Sequence, residues 1–472
     1  MARDAVQTGK ARLLRLVLLA LVLDAQAAAA QSQAFIADSA IHKILKHRVE
    51  AKRAAGIVVG TLDANGRSSI VAFGPADAGG TRPIDANSVF EIGSITKTFT
   101  ATILADMVMR GEVKLDDPVA KYLPSDVHVP SRGGKQITLV DLSTQSSGLP
   151  RMPANFHPTD ANNPYADYSV RQMYDFLSAY ELTRDIGSRY EYSNLGVGLL
   201  GHALALRAGM SYEALVTARV LGPLGMTDTR ITLTPSQRSR LAVGHDNALR
   251  LVANWDLPTF AGAGALRSTT ADMLKYLAAN LDSTHGPLAK AIAFTHVSRH
   301  ATDDPNLSIG LNWHILRRDG TQIVLHNGGT GGYHSFIGFD PARRVGVVVL
   351  ANSSASIDDI ALHLLDPRSP LAQAPAAPKP RVEIALDPAM LDRYVGDYEL
   401  VPSFHIVITR EGAALFAQAT DQPKFQLFAE SETNFFLKVV DAQVTFVKDA
   451  GGAATTLVLH QNGQDMAGKK KP

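Results

Sequence analysis

Phe90-Glu91-Ile92-Gly93-Ser94-Ile95-Thr96-Lys97 is the stretch on which the reading of this 472-residue chain turns. Gly93 precedes a serine that opens an apolar-periodic helix, with Ile103, Leu104, Met107 and Val108 making one face further along. A hydroxyl in the first helical turn sits among free backbone N–H groups at the positive end of the helix dipole. Lys97 lies three residues on, so its amine shares a helix face with that hydroxyl. A serine hydroxyl is a weak nucleophile until a neighbour takes its proton. Ser94 and Lys97 are therefore a candidate nucleophile and partner. Taken alone, the spacing also fits an ordinary helix start followed by a surface lysine.

Two more short motifs follow in order, Tyr192-Ser193-Asn194 and His326-Asn327-Gly328, the latter continued by Gly329. A phenol ordinarily titrates near pH 10, so base work by Tyr192 requires cationic neighbours, and Lys97 can supply one such charge. Tyr192 and Asn194 also fit a buried tyrosine and a turn asparagine ahead of a helix from Leu195. His326 ends an expected strand, Gln322–His326, where a strand-end histidine is an equal reading. Gly328 and Gly329 suit a strand whose backbone approaches a substrate closely. His326 and His334 flank a glycine-rich run, but without a helical histidine pair or acidic cluster no metal site is expected. The run Gly328–Gly332 lacks the Gly-Lys-Ser/Thr of a phosphate loop. No Gly-x-Ser-x-Gly surrounds Ser94, which argues against an α/β-hydrolase elbow.

On these residues, in this order, the chain resembles the serine β-lactamase and penicillin-binding protein superfamily, for which Ser-x-x-Lys is the nucleophile motif. Phe90–Lys97 is similar to the nucleophile segment of class C β-lactamases. Ile137-Thr138-Leu139 through Ser147-Gly148-Leu149-Pro150, and Ala261-Gly262-Ala263-Gly264 before Ser268, extend the likeness over roughly Phe35 to Ile360. The resemblance implies an acyl-enzyme on Ser94, proton exchange through Lys97 and Tyr192, and substrate held by Asn194, His326, Gly328 and Gly329. It also implies an oxyanion hole from the N–H groups of Ser94 and Gly329. No cofactor and no metal are expected. The substrate is a small molecule or peptide: a β-lactam, a peptide ending in D-amino acids, or an ester. A carboxylesterase or D-aminopeptidase of the same fold and a slowly deacylating penicillin-binding protein stand as alternatives.

One departure carries a consequence. Classical β-lactamases have Lys-Thr-Gly where this chain has His326-Asn327-Gly328. Histidine is mostly neutral at pH 7. A weaker preference for carboxylate-bearing β-lactams, and better use of neutral esters or amides, is therefore expected.

Working outward, Gly56–Leu62 and Ser68–Phe73 read as strands joined at Asp63-Ala64-Asn65-Gly66, whose Asn-Gly is a strong hairpin signal. Ile41, Ile44, Leu45 and Val49 recur at helical spacing before them. Far downstream, Ile309–Leu316, Gln322–His326, Ser335–Phe339 and Val345–Ala351 read as strands, followed by a helix around Ile357–Leu365. Between the two groups the pattern is helical, with apolar faces at Leu195–Leu206 and Met273–Leu281. The expected fold is α/β (α+β): an antiparallel sheet assembled from both ends of the region and flanked by helices, with an inserted all-helical lobe.

Pro370, Pro375, Pro378 and Pro380 mark an Ala/Pro-rich linker at residues 366–384. Residues 385–472 then read as short strands from Phe404–Thr409 to Thr456–Gln461, a small β-barrel similar to the lipocalin-like appendages of some superfamily members. A ligand pocket and a purely structural module both fit it. Lys469-Lys470-Lys471 reads as a solvated end.

Apolar content of 46% and charged content of 19% are those of a globular protein, and a net charge of +1 gives no reason to expect a nucleic-acid partner. Residues 1–30 form an expected signal peptide: basic Arg3, Lys10, Arg12 and Arg15, apolar Leu16–Leu23, then Ala28-Ala29-Ala30. The apolar run is far short of the roughly 20 residues of a membrane span, so no transmembrane anchor is expected. Residues 31–365 are the expected catalytic domain. With no cysteine, disulfides and thiolate chemistry are excluded, and a periplasmic or secreted protein is the expectation.

Overall fold

A computed structural model describes residues 36–286, 288–373, 382–401, 404–420, 424–438, 442–449, 451–461 and 464–471. The expected signal peptide lies outside the described residues, as does the middle of the expected linker. Two compact units divide the chain, Met1–Gln373 and Ala374–Pro472.

The first unit begins with helix α1 (Asp38–Glu50) and strands β1 (Ile57–Leu62) and β2 (Ser68–Phe73). Its long helices are α2 (Thr96–Met109), α3 (Asn194–Ala208) and α4 (Thr270–Leu281). Strands β3 (His300–Ala301), β4 (Leu307–Ile309), β5 (His314–Arg318), β6 (Thr321–Gly329), β7 (His334–Asp340) and β8 (Val345–Ala351) precede helix α5 (Asp358–Leu365). These strands make one eight-stranded sheet in the order β2-β1-β8-β7-β6-β5-β4-β3. Every neighbouring pair is antiparallel, and β1 meets β8 from Ile57↔Ala351 to Leu62↔Gly346. The sheet is thus assembled from both ends of the region, as the strand pattern predicts.

Strand periodicity sorts the core into two layers. Ile57, Val59, Val347 and Val349 pack with Ile41 and Leu45 of α1 and with Ile360 and Leu364 of α5. Val58, Val348 and Leu350 point the other way, into the larger core that includes Leu274 and Leu277 of α4. Two details depart from the sequence reading. Ile309–Leu316 is not one strand: the chain turns through Gly310–Trp313, with Asn312 at φ +55, and resumes as β5. And α2 is buried on all sides from Thr96 to Met107, not on one face. Its polar side is satisfied internally, Thr98 donating to Ile95 O at 2.8 Å, Thr100 to Gly262 O at 2.7 Å and Thr102 to Thr98 O at 3.0 Å. Period counting reads such threonines as solvent-facing; hydroxyls that find partners can lie in a core.

The second unit is a closed eight-stranded barrel: β9 (Gly396–Val401), β10 (Phe404–Glu411), β11 (Ala414–Ala419), β12 (Lys424–Ala429), β13 (Asn434–Phe436), β14 (Ala442–Lys448), β15 (Ala454–Gln461) and β16 (Gln464–Lys470). Its interior is filled by side chains, among them Tyr394, Tyr398, Phe435 and Phe446, with Tyr394 stacked on Phe446 at 4.6 Å. Eight strands enclose about that much space. The reading of the lysine tail as a free end is corrected here. Lys469 and Lys470 lie in β16 and pair with Glu399 and Tyr398, closing the barrel, while Lys471 Nζ reaches Glu399 at 2.9 Å. A charged strand is tolerated there because the long stems lie along the barrel and the heads find water or a carboxylate.

Candidate active site

Ser94 is the middle residue of a single 3-10 turn, Gly93–Ile95, that runs directly into α2. Gly93 holds φ +47, and a Cβ there would lie 2.9 Å from both the amide nitrogen and the carbonyl oxygen of Gly329. From the other side, a Cβ on Gly328 would stand 2.2 Å from Ile92 O and 2.9 Å from Ser94 N. The end of β6 and the nucleophile turn therefore touch backbone to backbone, which only glycine permits. On its other edge β5 covers only Thr321–Leu325 of β6, leaving residues 326–329 without a strand partner on that side. Residues 326–329 are held by β7 alone, from His326↔Ile337 to Gly329↔His334.

Ser94 itself is half-buried, whereas Lys97 exposes 0% of its surface. The Lys97 amine stands 2.9 Å from Ser94 Oγ and donates to Asn194 Oδ1 at 2.9 Å and to Ala263 O at 2.7 Å. Ala263 belongs to the short Ala261–Gly264 helix, one of the family-like segments noted in the sequence. Burial, seconded by the positive charge of Arg151, drives the Lys97 amine well below its ordinary value. A neutral amine has two N–H groups and one lone pair. With both N–H groups engaged by oxygens, the lone pair is left for the Ser94 proton.

Tyr192 packs its ring 4.8 Å from Lys97 Nζ. Burial pushes its phenol up to about 12, against the opposing pull of a hydrogen bond with Ser94 and the charge of Arg151. Arg151, its Cζ 5.1 Å from the centre of that ring, is a cation at Tyr192 that the sequence reading did not name. Ser193, between the two motif residues, caps α3, accepting from Gly196 N at 2.8 Å.

His326 is buried, its ring 6.4 Å from Tyr192 and 5.2 Å from His314. Its Nδ1 lies 2.6 Å from the carbonyl oxygen of Asn327, an acceptor, so Nδ1 carries the proton and Nε2 keeps a lone pair. Burial, then the neighbouring His314 and Lys97, hold the ring well below the ordinary histidine value. Strand alternation sends Asn327 to the opposite face, where it donates to Asp358 of α5 at 2.6 Å; His334 meets the same carboxylate at 2.9 Å. Among the described residues, no group of three or more His, Asp or Glu side chains is placed to hold a metal ion.

Arg151, His314 and Tyr190 were not among the residues singled out in the sequence. His314 sits 2.9 Å from the Tyr190 hydroxyl and is lowered to about 4 by burial. His296, packed 5.5 Å from Trp313, is lowered to about 3. In the unfolded chain both titrate near 6.5. Their stabilising effect is complete above that pH and is lost as pH falls toward 4, because the unfolded chain then binds protons the folded one refuses. Stability of the first unit should fall by roughly 1.4 kcal/mol per pH unit for each ring in that window. Urea titrations at pH 7.5 and 5.0 measure it, with tryptophan fluorescence as the signal, since Trp255 and Trp313 both lie in this unit. Equal midpoints at the two pH values would contradict it.

A family model described as "Beta-lactamase" matches residues 41–365, and a "Domain of unknown function (DUF3471)" matches residues 380–470. The D-alanyl-D-alanine-carboxypeptidase/endopeptidase AmpH of Escherichia coli (strain K12) is 30% identical over 333 residues, covering 67% of this chain and 84% of that protein. A Beta-lactamase of Pseudomonas fluorescens is 29% identical over 335 residues, covering 64% and 89%. Among solved structures, a Beta-lactamase/D-alanine Carboxypeptidase from Yersinia pestis superposes with a TM-score of 0.61 at 26% identity, over 70% of this chain and 97% of that one.

Proposed function

This chain belongs to the Beta-lactamase family, within the β-lactamase/transpeptidase-like serine hydrolases, and we propose that it works through an acyl-enzyme on Ser94. The observation that carries the proposal is the fully buried Lys97 amine 2.9 Å from Ser94 Oγ, driven well below its ordinary value by burial. Ser94 Oγ bonds to the substrate carbonyl carbon as its proton passes to the Lys97 lone pair. The carbonyl oxygen, gaining charge, is received by the amides of Ser94 and Gly329, which the glycine contacts of β6 bring close. Tyr192, protonated over the working range, passes a proton to the departing amine or alkoxide. The proton on Lys97 passes to the Tyr192 phenolate, restoring the free amine and the phenol. Water then adds to the acyl carbon as Lys97 takes one of its protons, and the C–Oγ bond breaks as that proton returns to Ser94 Oγ, releasing the acid. Asn194 and His326 orient substrate. No cofactor enters this scheme.

The substrate class proposed is a β-lactam or the amide of a D-amino-acid peptide, handled after export through the segment at residues 1–30 into the periplasm or beyond. Among the described residues no helix is long and apolar enough to cross a membrane. A neutral His326 favours a second reading, a carboxylesterase or D-aminopeptidase on the same machinery. Comparing kcat/KM for a chromogenic cephalosporin with that for a short-chain p-nitrophenyl ester separates the two. The first reading expects cephalosporin turnover of at least the same order as ester turnover. Ester turnover with the cephalosporin untouched selects the second.

A further inference from the structure

Resting on that hydrolase reading, we propose that Arg151 is the specificity residue through which this site recognises a substrate carboxylate, the place of charge having moved away from His326. The usual position for a cation, the first residue of the third motif, holds a ring whose only proton is committed to the Asn327 carbonyl. It has no positive charge to offer. A guanidinium, unlike an imidazole, is a permanent cation. The Arg151 Cζ lies 5.1 Å from the centre of the Tyr192 ring, and its charge is felt at Lys97 and Tyr192, the two groups that meet Ser94, and at the neighbouring Tyr165 and Tyr190. The side chain is exposed, and among the described residues it has no carboxylate partner.

An unpaired guanidinium at the mouth of a site built for carbonyl chemistry is a ready receptor for a planar anion, which it can bind through two parallel N–H donors. Its position is also fixed. The Arg151 carbonyl accepts from Asn194 N at 3.0 Å and Leu195 N at 3.3 Å, and Ser193 Oγ donates to Pro150 O at 2.6 Å. The arginine is therefore bonded by its backbone to the very segment that carries Tyr192 and Asn194. A loop tied in this way delivers its charge at a set distance from the nucleophile, which a free surface arginine does not.

The test uses two esters with one leaving group, mono-p-nitrophenyl succinate and p-nitrophenyl butyrate, which differ in a terminal carboxylate against a methyl. The full chain is compared with Arg151→Gln and Arg151→Lys. The ratio of kcat/KM, succinate over butyrate, should fall about 10- to 100-fold in Arg151→Gln, mainly through KM for the succinate ester. Arg151→Lys, which keeps charge but not the fork, should recover part of that ratio. Any general loss through Tyr192 lowers both esters together and cancels. A ratio unchanged in Arg151→Gln overturns the assignment. Ser94→Ala in the same assay keeps the two levels apart: if it still hydrolyses both esters the underlying reading fails, and if it is inert while the ratio holds, only the Arg151 assignment fails.

Discussion

Ser94→Ala retains less than about one part in 10^4 of the wild-type kcat/KM toward every substrate the protein turns over. The expected size follows from what the hydroxyl does: it is the only atom that forms the new bond to carbon, and no other group in the site can replace it without water crossing the same space. The fold should survive intact. Ser94 Oγ caps no helix, and the residue is half-buried at the edge of the site and not packed in the core. The lost contacts are the hydrogen bonds with Lys97 and Tyr192, each worth about 1 kcal/mol. Thermal melting should therefore change by a few degrees at most while turnover disappears. A purified variant with more than about 1% of wild-type activity would count against Ser94 as the nucleophile.

Lys97→Met should lower kcat/KM about 10^3-fold, the scale of losing a positioned base. Methionine matches the lysine stem in length and is at home in a site with no exposure, so the volume is filled. What disappears is the lone pair aimed at Ser94, together with the two N–H donors to Asn194 Oδ1 and Ala263 O. Two buried acceptors left without partners cost about 1–3 kcal/mol each, offset by no longer burying an amine. Stability should therefore move much less than rate. The pH profile adds a sign. The amine must be neutral to act, and burial depresses its protonation, so activity in the wild type is lost only as pH falls through that depressed value. A tenfold loss or less, or an acid limb unchanged in the variant, would mean that another group takes the serine proton.

The parts of the site legible in the sequence are those whose geometry is local. Ser94 and Lys97 meet because one helical turn separates them, and His326 and Gly328 share a strand face because strands alternate. Tyr192 and Asn194 flank the Ser193 cap and so arrive together. Arg151 and His314 have no such signature. The nearness of Arg151 to Tyr192 and of His314 to His326 is set by the hydrogen bonds that tie Pro150 and Arg151 to the start of α3, and by the pairing of β5 with β6, neither of which leaves a spacing in the chain. Protonation states were hidden for the same reason. Lys97 reads as an ordinary cation in the chain, and only its burial, which no spacing records, drives the amine well below its ordinary value. In the barrel, Lys469-Lys470-Lys471 reads as a tail because a run of lysines shows none of the alternation that marks the neighbouring strands, although the backbone of Lys469 and Lys470 closes the sheet against β9.

The most direct test is to catch the covalent bond. Wild-type protein mixed with saturating penicillin or p-nitrophenyl ester is quenched in acid within milliseconds to seconds, weighed intact, and digested to locate the added mass. The acyl group should be found on the peptide carrying Ser94, and Ser94→Ala treated in the same way should stay at its unmodified mass. An acyl group on any other residue, or the same adduct on Ser94→Ala, would contradict the account.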